Sequence, residues 1–255
     1  MATYKKKGQK KVKSAPVDHI EEESATAEVF KNLEESASRS EQWIEKYQKP
    51  LFSGLVLVVV LILGYIAYNA YVIEPKEQEA ANELSFPKEN FEEAINATTD
   101  AESLFSLALE GANGKYGFVD IADKYSGTKA GNLANYYAGL SYLKTNDYKN
   151  AIAYLEKFSS SDALLSPAAL GAIGDAFADL DQNDDALSYY EKAAKVQPNA
   201  STTPLYLLKA GNTALDLGDA KKAEGFFSEI KNKYPESALA NNIEMHINKA
   251  KYAQN

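Results

Sequence analysis

The chain has no cysteine, a single arginine (Arg39), one tryptophan and only two histidines among its 255 residues. Without cysteine there is no disulfide, no thiolate nucleophile and no sulfur-ligated metal. His19 and His246 stand alone, in neither an HExxH nor an HxH spacing, so no zinc site is expected. GxSxG, Walker A and GxGxxG patterns are also missing. The stretch DQNDDA (Asp181–Ala186) lacks the central glycine and closing glutamate of an EF-hand and reads as a polar turn. These absences lead us to expect a non-enzymatic protein with no cofactor and no metal. A net charge of −9 makes nucleic acid an unsuitable partner for the bulk of the chain.

One long apolar run stands out against this polar background. Residues Leu51 to Ile73 contain no charged side chain over 23 positions. A bilayer span needs about 20 apolar residues. Trp43 and Tyr47 precede the run, and Tyr65, Tyr68 and Tyr71 line its far end, as interfacial aromatics do. A soluble helix would keep a polar stripe, and a signal peptide would place its apolar core nearer the N-terminus. The expectation is one transmembrane helix at 51–73, followed by a helix break at Pro75. Lysines concentrate before the run, and Glu74, Glu77 and Glu79 follow it. The positive-inside rule then places the N-terminus in the cytoplasm and the larger C-terminal part across the membrane.

The remaining sequence divides by pattern. Residues 1–27 carry a basic block, YKKKGQKKVK, then an acidic one, and read as a disordered cytoplasmic tail. The lysines suit anionic lipid; an RNA or ribosome contact is the less favoured reading. Residues 28–50 pattern as an amphipathic juxtamembrane helix, with Val29, Phe30 and Leu33 in one apolar cluster and Trp43, Ile44 and Tyr47 in another; it either lies on the inner membrane face or extends the membrane helix. Beyond the span the pattern is helical throughout, with no convincing run of alternating strands.

Within that part the chain repeats itself. Gly139, Gly174 and Gly211 anchor three similar segments, spaced 35 and 37 residues apart. Twelve residues after each glycine stands an alanine: Ala151, Ala186 and Ala223. Four further on is a large residue: Leu155, Tyr190 and Phe227. Pro198 and Pro235 close the second and third units. The pattern resembles the tetratricopeptide repeat, a helix–turn–helix unit of about 34 residues. Small residues let paired helices approach, and the bulky residue is expected to fill the space between repeats.

The expected fold class is therefore all-α: a single N-terminal transmembrane helix followed by a tetratricopeptide solenoid. A linker helix and a degenerate unit occupy 74–131, three repeats 132–235, and a capping helix 236–255, covering the last repeat through Ala238, Ile243 and Ile247. In such an array the first helix of each repeat lines the concave face. The register places Leu133, Tyr136, Leu140, Asp175, Asp179, Leu208, Asn212 and Asp216 in this candidate protein-binding groove. It is part apolar and part acidic, and suits an extended or partly unfolded chain carrying some positive charge.

The whole layout, with EQWIEKYQKP before the span and ALANNIEMHIN near the C-terminus, resembles the YfgM-like ancillary subunits of the SecYEG translocon, here of a Bacteroidetes-like Gram-negative inner membrane. That resemblance implies a non-enzymatic role at protein export. The implied partners are SecYEG itself, a PpiD-like periplasmic chaperone and emerging secretory proteins. The alternative is a tetratricopeptide scaffold for another cell-envelope complex.

Overall fold

The computed structural model describes residues 25–254; the lysine-rich block of the expected tail lies outside them. The chain divides into two compact units between Ile66 and Ala67.

Among the described residues the first unit is a single helix. Helix α1 runs from Ala25 to Tyr68, straight through Pro50, so the expected juxtamembrane and apolar segments are one helix. Every residue from Leu51 to Val72 is exposed. By length and composition α1 can cross a membrane.

The second unit continues as a π-helical turn, Asn69–Ile73, and then α2 (Glu74–Glu83). The break expected at Pro75 takes this form. Ile73 and Glu74 both keep right-handed helical dihedrals, and the Glu74 N–H donates to the Asn69 carbonyl. Pro75 has no N–H to give, so the helix widens for one turn instead of ending.

Next come α3 (Ser85–Asn96) and α4 (Ala101–Glu110). A short antiparallel hairpin, β1 (Gly111–Ala112) with β2 (Lys115–Tyr116), leads into α5 (Phe118–Lys124). Asn113 and Gly114 at its tip both have left-handed φ, the requirement of a type I′ turn. In the expected degenerate unit α4 and α5 would pair. Instead α4 packs chiefly on α3, and α5 chiefly on α6 (Lys129–Lys144). Phe91, Phe105, Phe118 and Ile121 fill the core among them.

Three helical hairpins follow: α6 with α7 (Tyr148–Lys157), α8 (Leu165–Asp179) with α9 (Asn183–Val196), and α10 (Thr203–Asp216) with α11 (Ala220–Lys233). Their turns are built alike. Asn146, Asp181 and Gly218 each sit seven residues past the anchor glycine with left-handed φ. The next N–H reaches back to close the helix: Asp147 to the Tyr142 carbonyl, Gln182 to Phe177, and Asp219 to Ala214, at 2.8–2.9 Å. This is the Schellman closure. The second helix is then capped by Asp147 and Asp219, which accept from the Asn150 and Lys222 N–H groups. Gln182, in the same backbone conformation, supplies no such cap.

Ala151, Ala186 and Ala223 are fully buried. The large residue four positions later packs between repeats as expected, Leu155 with Ala169, Ala172 and Ile173 and Tyr190 with Tyr206 and Leu207, and it also closes its own hairpin. Leu155, Tyr190 and Phe227 lie against Gly139, Gly174 and Gly211 of their own hairpins, where a methyl group would collide with them. Tyr206 also fills the space between repeats, lying over Gly171 of the preceding unit. A 3₁₀ turn, Ala238–Asn242, and helix α12 (Ile243–Tyr252) cover the last hairpin. Ile243, Ile247 and Ala250 are its buried face; Ala238 is exposed, and Ala250 takes the covering role expected of it.

Candidate protein-binding groove

Helices α6, α8 and α10 carry the eight candidate groove residues. The structure does not present them as one uniform surface. Tyr136 is 8% exposed and packs with Leu155, Ala169, Ala172 and Ile173. Its ring lies 5.0 Å from that of Phe158. It joins two repeats and offers little surface to a partner. Leu133 and Leu140 are half-buried and pack against the cores on both sides of α6. Leu208 is half-buried on the core of the last two repeats, and Asn212 is half-buried beside it. Asp179 and Asp216 are exposed.

Asp175 is not a free acid. Lys209 reaches from α10 to both its carboxylate oxygens, at 2.5 and 2.8 Å. The Tyr190 hydroxyl donates to it at 2.7 Å. Burial first, and the Asp175 carboxylate second, raise the Tyr190 phenol well above its ordinary value. Burial and the same carboxylate push Tyr206 up to about 12. Both phenols therefore stay neutral across the physiological range. Asp175 ties repeat two to repeat three, and the acid exposed along these helices reduces to Asp179 and Asp216.

Asp175 and Asp179 do share a cleft of about 380 Å³ with Leu143, Lys144, Asn146 and Tyr190. Leu143 and Lys144 were not among the expected residues. Lys144 lies five residues past Gly139, the offset that Asp179 has from Gly174 and Asp216 from Gly211, so the repeat register could have found it. Lys209 had no such signal. A cleft of about 720 Å³ lies over α9, lined by Leu170, Leu187, Val196, Lys192, Lys195 and Lys222 among others. Glu191 bridges two of its lysines, at 2.9 Å to Lys195 and 2.7 Å to Lys222. Burial alone would raise the Glu191 carboxyl; Lys222 and Lys195 outweigh it and hold the group below its ordinary value. Among the described residues no group of three or more His, Cys, Asp or Glu side chains is placed to hold a metal ion.

Tetratricopeptide repeat profiles match residues 133–162, 167–200 and 206–237. These spans overlap most of each of the three hairpins, and such repeats are protein-interaction scaffolds. No curated protein matches the chain.

Proposed function

We propose that this protein is a single-span membrane anchor presenting a tetratricopeptide scaffold, with no catalytic activity and no cofactor. The observation that carries the proposal is the combination of three such repeats with one exposed apolar helix long enough to cross a bilayer. An anchor confines the scaffold to two dimensions and raises its effective concentration at membrane complexes. The lysine excess before the apolar run supports a cytoplasmic N-terminus and a periplasmic array.

In its specific form, the scaffold is an ancillary subunit of the SecYEG translocon that receives a PpiD-like chaperone or emerging secretory chains. The resemblance of layout supports this, as does a groove of leucines edged by Asp179 and Asp216. The test is purification of the tagged chain from gently solubilised membranes with mass spectrometry of the co-purifying proteins. Translocon subunits and a PpiD-like chaperone at near-stoichiometric yield are the expected result. A different envelope complex in their place would contradict the export role and leave the scaffold standing.

A further inference from the structure

The first turn of α6 is held by a residue far away in sequence. Glu77 of α2 accepts the Lys129 N–H at 2.7 Å on one carboxylate oxygen and the Ala130 N–H at 2.9 Å on the other. Thr128 accepts the next N–H, from Gly131, at 2.9 Å. Three orphan donors at this helix start are thus satisfied, two of them from across 52 and 53 residues. Beside them Glu79 accepts the Tyr125 hydroxyl at 2.8 Å and lies 3.6 Å from Lys124. Ala80 of α2 and Leu84 just past its end are buried in the core shared with Tyr125, Ala130 and Ala134. Helix α2 is therefore locked onto the α5–α6 corner by charge, hydrogen bonds and packing together.

That lock fixes a height. The apolar run ends at Ile73, and helical backbone continues without interruption into α2. Four residues separate Ile73 from Glu77, about 6 Å of helix. The headgroup layer on each side of a bilayer is about 5–8 Å deep, from about 40–45 Å total against a hydrocarbon core of about 30 Å. With Ile73 at the edge of the hydrocarbon, four residues carry the chain no further than this. Resting on the reading of Leu51–Ile73 as a span, we infer that the α5–α6 corner, residues 124–129, is a phospholipid-contacting surface set in the headgroup layer.

The chemistry of the corner suits that layer. Lys124, Ser126, Gly127 and Lys129 are all exposed. Glu77 is turned to the corner's own donors, and the nearby exposed carboxylates are Glu74, Glu79, Asp120 and Asp123. Lysine ammonium groups pair with lipid phosphates, and serine and the exposed loop backbone with ester and phosphate oxygens. Helix α6, the first groove-lining helix, would then begin at the bilayer surface, where a chain leaving a membrane channel first becomes accessible.

The chain has no native cysteine, so single labels are unambiguous. Ser126→Cys and Asn248→Cys, the latter exposed on α12 at the far end of the array, would each carry an environment-insensitive fluorophore in the full chain. Each is reconstituted into vesicles of phosphatidylethanolamine and phosphatidylglycerol. A headgroup-nitroxide lipid in both leaflets quenches nearby probes, whichever way the chain inserts. The expected result is several-fold stronger quenching at residue 126 than at 248. Equal, weak quenching at both, with the chain floating with the vesicles, would overturn the headgroup contact and leave the span intact. A chain that fails to float would overturn the span and the contact with it.

Discussion

Adding the same methyl group at Gly211 and at Gly225 sets it against opposite surroundings. Both glycines lie inside helices of the third repeat, α10 and α11. Alanine is the better helix former by about 0.8–1.0 kcal/mol at each. At Gly225 the new Cβ meets nothing within 4 Å, so Gly225→Ala should be stabilising by most of that amount. At Gly211 the new Cβ enters the ring of Phe227, which is fully buried and cannot swing out. Overpacking of this kind costs about 1–3 kcal/mol, which outweighs the propensity gain. The two variants should differ by about 1–3 kcal/mol. With a urea slope of about 1–3 kcal/mol per molar, their midpoints by far-UV circular dichroism should stand about 1 M apart, with Gly225→Ala above and Gly211→Ala below the parent. Equal midpoints, or Gly211→Ala the more stable, would refute the claim that glycine here is required by contact with the partner helix.

Gln182→Asp should stabilise the second hairpin by about 0.5–1 kcal/mol, because the backbone there already matches the capped Asp147 and Asp219; thermal melts of the single variant check this. Lys209→Met should cost about 0.2–1 kcal/mol by leaving Asp175 with Tyr190 alone, and a double-mutant cycle with Asp175→Asn should recover part of it. Glu191 has a folded carboxyl pKa below its unfolded value of about 4.3. Its stabilisation is therefore present above that pH and fades as pH falls through the folded value. Urea midpoints against pH should drop less steeply on the acid side in Glu191→Gln than in the parent. Paired arginines at Val58 and Leu61 should each add about 2.5–3.5 kcal/mol to the cost of insertion and release the chain from carbonate-washed membranes.

The repeat array was legible because its signals are local and periodic. Small residues recur at one offset, large ones at another, and the turns are polar. The left-handed residues Asn146, Asp181 and Gly218 follow the same register, and only their differing side chains hid the pattern. The Asn113–Gly114 hairpin was also written plainly as a type I′ turn signal, but two-residue strands leave no alternation to detect. The groove was less legible. Asp175 reads as a free acid in sequence, since its partner Lys209 lies 34 residues away in the next repeat. Tyr136 fell on a groove register, yet the small Ala169 and Ala172 opposite it let the ring sink into the inter-repeat core. The Glu77 clamp spans more than 50 residues and left no local trace.

The central claim is that the exposed edge of α6, α8 and α10 holds a protein partner at a membrane. The most direct measurement places a photo-crosslinking amino acid at Asp179 and at Asp216, and separately at Lys195 over α9, in the full chain in living cells. The account predicts protein adducts from membranes at 179 and 216, of the same identity, and none of that identity at 195. Adducts of that identity equally at 195, or no protein adduct from either groove position, would contradict it.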